Sequence, residues 1–234
     1  RSEQQCLALE KAEPASRKIT GNIAMPGFTA PKLLWVREHE PAVFAATKTV
    51  LLPKDYVRLL MTGEKASDAS DAAGTLWVDV ANRRWSPEML AATGLNESHM
   101  PRLCEGSDAT GTLLPEVADA WGMSRVPVAG GGGDNAAGAA GIGVINAGDA
   151  FLSLGTSGVL FLATPKFLPN PDRAVHAFCH CLPGRWHQMS VMLSAASCVD
   201  WAVKLTGATD AAELLSKVEA RGRLDGSEIF LQYL

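Results

Sequence analysis

The sequence predicts a soluble α/β protein, on three observations. Short apolar runs of strand length alternate with helical patterns, one such run feeds directly into four consecutive glycines, and the composition is that of an ordinary globular enzyme. Hydrophobic residues make up 47%, charged residues 20% and aromatic residues 6% of the 234, which excludes a disordered chain and allows one large domain or two smaller ones. The 21 basic and 25 acidic side chains leave a net charge of −4 with no basic cluster, so nucleic acid is not an expected partner. Every apolar stretch is interrupted well before the roughly 20 residues a membrane span needs. Five cysteines form an odd set without small-domain disulfide spacing, which points to a reducing cytoplasm. The chain opens at Arg1 without a signal-peptide pattern and stops after the apolar run Ile229-Phe-Leu-Gln-Tyr-Leu234, so both ends are expected to be cuts.

Taken in order, residues 2–12 read as a polar helix, and 31–38 as a second helix carrying Leu33, Leu34 and Val36, with Pro31 near its start. Residues 49–52 are a short strand candidate stopped by Pro53, and 55–61 a helix closed by Thr62-Gly63. A small polar loop at 67–74 leads into an extended segment at 76–80. Helices follow at 86–92 and 114–121, then a buried strand at 126–128, the glycine run, and a small-residue helix at 136–142. Asn146-Ala-Gly-Asp149 is a turn, and a domain boundary near Val144 is expected. Apolar strands at 151–154 and 159–162 flank Gly155-Thr156-Ser157-Gly158 as a tight hairpin. Strands at 175–181 and 186–189 and a helix at 194–205, closed by Thr206-Gly207, complete the reading.

Two motifs carry chemistry. Val128-Ala-Gly-Gly-Gly-Gly-Asp134-Asn135 delivers a carboxylate from a strand end through a loop whose backbone can approach a ligand or take φ > 0. Asp134 then reads either as a base reaching a substrate hydroxyl or as the cap of the following helix. In Leu152-Ser-Leu-Gly155-Thr156-Ser157-Gly158, two glycines bracket two hydroxyls, and the turn reads either as a phosphate-binding concavity or as an ordinary hairpin turn.

Other patterns are weaker. No Walker A loop occurs, and a dinucleotide fingerprint within 130–138 would put Asp134 where pyrophosphate belongs. His176, Cys179, His180 and Cys181 lack the second pair a structural zinc site draws on, so they read as buried strand residues. Trp35, Trp77, Trp186 and Trp201 lie among aliphatic residues and are expected in cores. Asp68 and Asp71 read as loop caps.

Several separate stretches, in order along the chain, together resemble the FGGY carbohydrate kinases. They are Gly27-Phe-Thr-Ala-Pro-Lys32-Leu-Leu-Trp35-Val-Arg-Glu-His39, Leu51-Leu-Pro-Lys-Asp55-Tyr56, Met61-Thr-Gly63 and Ser67-Asp-Ala-Ser70-Asp71-Ala-Ala-Gly-Thr75-Leu-Trp77-Val-Asp79. The run from Gly130 to Asn135 is similar to the family's catalytic Gly-Gly-Asp-Asn segment, and Ser153-Leu-Gly-Thr-Ser-Gly158 to its second phosphate loop. Within the family, the bacterial branch that phosphorylates D-xylulose is the most similar.

The resemblance implies a ribonuclease-H-like, actin/hexokinase-type fold in two domains. Residues 1–144 would be the C-terminal part of the first domain and 145–234 the start of the second. It implies Asp134 as general base, Asn135 as a sugar contact, and Gly155, Thr156 and Ser157 as contacts to nucleotide phosphates, with ATP and Mg²⁺ required and no protein metal site. Sugar and ATP are the expected partners, and a homodimer is an allowed assembly. Ribulose, glycerol or gluconate as substrate, or a noncatalytic sugar-binding module, remain as alternatives. The family's first phosphate loop, its Gln-Met-His sugar stretch and its adenosine site do not occur in these residues, and Arg1 alone would remain of its Trp-Asn-Asp-x-Arg motif. The chain is therefore expected to be a central piece, inactive by itself.

Overall fold

Prolines and glycines set many of the helix ends, as their backbone limits require. The computed structural model describes residues 2–222, so Arg1 and the apolar run at 229–234 lie outside the described residues. Two units are present. The first holds Arg1–Asp149 and Leu162–Gln188, the second Ala150–Phe161 and the chain from Met189 onward.

In the first unit, helices α1 (Glu3–Ala12), α2 (Ser16–Thr20), α3 (Thr29–His39), α4 (Pro41–Ala46) and α5 (Pro53–Thr62) come first. They are followed by β1 (Ala66–Asp68), α6 (Ala69–Ala73), β2 (Val78–Asp79), β3 (Arg84–Trp85) and α7 (Pro87–Ala92). Then come β4 (Arg102–Cys104), β5 (Ala109–Thr112), α8 (Pro115–Trp121), β6 (Pro127–Ala129) and α9 (Asp134–Gly141). Strand β1 pairs in parallel with β4, setting Asp68 opposite Cys104. Strands β2 with β3 and β5 with β6 form antiparallel pairs.

Pro53 opens α5 and Gly63, at φ 76, ends it in the left-handed region. Pro115 and Gly122 do the same for α8. Ser86 caps α7 by accepting from the Met89 N–H, and Asp68 caps α6 by accepting from the Ser70 and Asp71 N–H groups, as its loop-cap reading requires.

The core of this unit gathers Leu9, Ala30, Leu34, Leu76, Trp77, Met89, Leu90 and Leu95, with α1 packed on α3 and α3 on α4. Trp77 is 1% exposed, and its indole N–H donates to Thr93 Oγ1 at 3.0 Å, so the one polar atom of the largest core side chain is satisfied. Residues 162–188 return to this unit and are tied in by side chains. Asn22 Nδ2 donates to the Ala177 carbonyl (3.0 Å) while its Oδ1 accepts from His176 Nδ1 (2.9 Å). The Trp186 indole donates to the Val80 carbonyl (2.7 Å), and the Arg83 guanidinium pairs with Glu105, reaches the His180 and Arg185 carbonyls, and lies 5.4 Å from the Trp186 ring centroid. Strand β8 (Gly158–Thr164) ends here, and β9 (His176–Cys179) lies beside β10 (Trp186–Met192), whose first residues are also in this unit.

In the second unit, β7 (Ala150–Leu154) lies beside β8, with β10 on the other side of β8. Phe151 stacks on Phe161 with ring centroids 5.0 Å apart. Helices α10 (Ala196–Thr206), ended by Gly207 at φ 70, and α11 (Ala211–Arg221), capped by Asp210, pack together.

Four expectations need correction. Residues 49–52 are not a strand, because only the Val50 N–H finds a backbone partner there, the His99 carbonyl at 2.9 Å. The extended run at 76–80 shrinks to β2, because Leu76 takes φ 68 and turns its side chain into the core. The strand before the glycine run is not buried: Pro127 and Ala129 are exposed in a two-stranded sheet. Trp35 is half-buried and stacked on His39, and Trp201 is 40% exposed, so neither is a core residue.

Replacing Trp77 by Ala removes the largest buried ring and the indole donor to the Thr93 hydroxyl, which keeps its own bond to the Leu90 carbonyl, so unfolding free energy should fall by about 3–5 kcal/mol in chemical denaturation. Acid should also act through His187. Burial, reinforced by His180 and His176, lowers its pKa from 6.5 to about 3, so the unfolded chain takes up a proton in that window that the folded one refuses. Stability should therefore drop as pH falls from about 6.5 toward 3, and His187→Phe should flatten that slope in pH-resolved thermal melts.

Candidate active site

The chain leaves β6 at Ala129, crosses Gly130–Gly133, and enters α9 at Asp134. Gly133 is the N-cap and no side chain caps the helix, so the cap reading of Asp134 is corrected. Asp134 is instead the first helical residue. Its carboxylate is exposed, and Oδ1 accepts from the Asn135 N–H at 2.8 Å and the Asn135 side-chain amide at 3.0 Å. Asp134 and Asn135 are thus brought together as one polar pair at a helix start.

Glycine is required at 130 by close packing against the chain's own backbone and at 131 by its dihedral. A Cβ on Gly130 would run into the Glu105 carbonyl, and Gly131 holds φ 78. The Gly130 N–H donates to the Asp108 carbonyl and the Gly131 N–H to the Gly106 carbonyl, both at 2.9 Å. At the two ends of the run, side chains take over: the Gly130 carbonyl accepts from Arg58 Nη2, and the Gly133 N–H donates to Ser70 Oγ at 3.0 Å.

Both of those side chains belong to one charge cluster. Lys54 Nζ lies 2.8 Å from Asp55 Oδ1, 2.8 Å from Asp68 Oδ2 and 3.7 Å from Asp71 Oδ2. Arg58 Nη1 pairs with Asp55 Oδ1 at 2.9 Å and donates to the Ala66 carbonyl, and the Ser70 hydroxyl donates to Asp68 Oδ1. Asp55 and Asp68 are fully buried and Arg58 nearly so. Burial alone would lower the Lys54 pKa, but Asp68 and Asp55 outweigh it and hold it above the ordinary lysine value. Burial raises the Asp71 carboxyl; Lys54 opposes that, and the neighbouring charges of Asp68, Asp55 and Asp134 add to it. Lys54 and Asp55 stand in one of the stretches that carry the family resemblance, but nothing in the sequence assigns a role to them or to Arg58. Their signal there was one carboxylate and one guanidinium three apart on α5, which equally describes an exposed helical ion pair.

In the second unit, Gly155, Thr156 and Ser157 form the exposed connection between β7 and β8. The Gly155 N–H donates to the Ser157 carbonyl (2.9 Å) and the Ser157 hydroxyl to the Leu193 carbonyl (2.9 Å), while the Thr156 carbonyl accepts from the Ala195 N–H (2.7 Å). Among the described residues, neither the Thr156 hydroxyl nor its N–H has a partner.

The remaining sequence candidates are structural. Burial pushes the Cys179 thiol up to about 12, Cys181 Sγ donates to the Ala136 carbonyl, and His180 Nε2 meets the Val144 carbonyl at 3.3 Å. From the Gly27–His39 signature, Gly27, Lys32, Trp35 and Val36 line an open hollow with Ser2, Glu3 and Pro26.

Comparison with known proteins bears on the family and the fold. The chain is 60% identical over 234 residues to the xylulose kinase of Escherichia coli (strain K12), covering all of this chain and 48% of that protein. The crystal structure of a xyloylose kinase from Brucella ovis superposes with a TM-score of 0.87 at 56% identity, over 93% of this chain and 45% of that one. A glycerol kinase of Plasmodium falciparum, solved with ADP, reaches a TM-score of 0.82 at 19% identity over 94% of this chain and 46% of its own, which shows the shared fold alone. The chain thus spans about half the length of the curated relatives it matches. The α/β fold is that of the actin/hexokinase-type ATPases. A family profile for the N-terminal domain of the FGGY carbohydrate kinases matches residues 1–141, and the chain belongs to that family.

Proposed function

We propose that this chain serves an ATP-dependent kinase that converts D-xylulose to D-xylulose 5-phosphate, with Asp134 as the base. The observation that carries the reading is an exposed carboxylate held at the exit of the glycine loop and, among the described residues, hydrogen-bonded by its neighbour Asn135 alone. The choice of sugar rests on the xylulose kinases at 60% and 61% identity. Asp134 accepts the proton of the terminal sugar hydroxyl as that oxygen bonds to the γ-phosphorus of ATP. The bond from that phosphorus to the β–γ bridging oxygen breaks, and its electron pair leaves with ADP.

Asn135 steadies the Asp134 carboxylate and offers its amide to a sugar hydroxyl. Gly155, Thr156 and Ser157 contact the nucleotide phosphates, and the unengaged hydroxyl and N–H of Thr156 are the donors that support this role. Magnesium is ordinarily held by one or two carboxylates together with substrate phosphates, and the partly exposed Asp71 carboxylate, which feels the charge of Asp134, is the donor these residues offer. When bound, the ion would neutralise phosphate charge. The match of residues 1–141 to the family's N-terminal domain supports a boundary near Val144, and five free thiols support a cytoplasmic setting. Among the described residues no helix is long and apolar enough to cross a membrane.

In the full-length enzyme, Asp134→Asn should lower kcat by about 10²–10⁴-fold with little change in KM for ATP, and near-normal turnover would overturn the base assignment. Thr156→Val should raise KM for ATP in steady-state kinetics; unchanged nucleotide kinetics would remove its phosphate role. A panel of D-xylulose, L-xylulose, D-ribulose, glycerol and gluconate with MgATP should show the highest kcat/KM for D-xylulose.

A further inference from the structure

We infer that Lys54, through Asp55–Arg58 on one side and Asp68–Ser70 on the other, is the centre of a clamp that positions Asp134 for catalysis. The inference rests on the reading of Asp134 as base. Its geometric basis is that a single ammonium group reaches both ends of the glycine run by two separate routes. On one route Lys54 pairs with Asp55, Asp55 with Arg58, and Arg58 donates to the carbonyl of Gly130. On the other, Lys54 pairs with Asp68, Asp68 accepts from Ser70, and Ser70 Oγ accepts from the N–H of Gly133, the residue immediately before Asp134.

Glycine is the residue with the most conformational freedom, so a four-glycine tether would let the carboxylate wander unless something outside the run fixes both ends. Backbone bonds fix Gly130 and Gly131 through their N–H groups, but among the described residues the Gly133 N–H has a side-chain acceptor alone, Ser70 Oγ. That bond sits one residue from the reacting carboxylate. Buried charges are expensive unless paired, and here the pairing is spent on two loop positions rather than on the core, which is the arrangement a positioning device requires.

Lys54, Arg58 and Ser70 act on Asp134 through Gly130 and Gly133, so their assigned role is positioning. Their loss should change kcat far more than KM, whereas a purely structural role would lower the melting temperature and leave the turnover of the folded fraction alone. The test uses the full-length enzyme with Ser70→Ala, Ser70→Thr and Asp134→Asn, measuring kcat, both KM values and Tm. Ser70→Ala should reduce kcat about ten- to a hundredfold with KM for ATP and sugar within about twofold. Ser70→Thr, which keeps the hydroxyl, should recover most of the loss. If Asp134→Asn is inactive while Ser70→Ala turns over at the wild-type rate, the clamp is wrong and the base reading stands. If Asp134→Asn turns over normally, the base reading fails and the clamp falls with it. Should the Ser70 variants not fold, amide exchange on the unmutated enzyme decides: a slowly exchanging Gly133 N–H is expected, and exchange at the rate of a free loop amide would overturn the clamp.

Discussion

One ammonium group shared among carboxylates organises the first unit. Lys54 bridges Asp55 on α5 and Asp68 at the end of β1, so helix, strand and the start of α6 meet at a single charge. Taking such groups out of water is costly, and the cost is offset only when every partner stays in place. Asp68 shows how tightly the parts are shared. The same carboxylate accepts the ion pair, caps α6 through the Ser70 and Asp71 N–H groups, and receives the Ser70 hydroxyl. Removing any one of these charges would leave another buried without compensation, a loss of about 3–5 kcal/mol.

Much of the local structure was legible because local rules decided it. Pro53 and Gly63, Pro115 and Gly122, and the Ser86 cap delimit helices through dihedral limits and short-range bonds that any reader of the sequence can apply. Failures came where partners from elsewhere in the chain decided. Residues 49–52 have strand-like side chains but almost no ladder to join, and Leu76 adopts a left-handed conformation that an apolar run gives no reason to expect. Trp35 and Trp201 have aliphatic neighbours in sequence, yet stay partly in solvent because burial depends on what packs over them.

The candidate site divides along the same line. Asp134, Asn135 and the 155–157 turn stand out as contiguous motifs whose residue types carry their own chemistry. The support for Asp134 does not stand out, because Ser70 lies 63 positions from Gly133 and Arg58 lies 72 from Gly130. The glycines themselves were read for closeness to a ligand or for unusual dihedrals. The dihedral is there at Gly131, but the close approach is to the Glu105 carbonyl, so much of the run's composition serves the protein's own packing.

The return of residues 162–188 to the first unit bears on biosynthesis. Asn22, Val80 and Arg83 find their partners at His176–Ala177, Trp186 and the His180 and Arg185 carbonyls, all made long after them. A nascent chain emerging from the ribosome must therefore hold these polar groups in water until the second visit of the polypeptide arrives. The first unit matures only after the Ala150–Phe161 segment of the second has been synthesised, so the order of translation and the order of folding are interleaved rather than sequential.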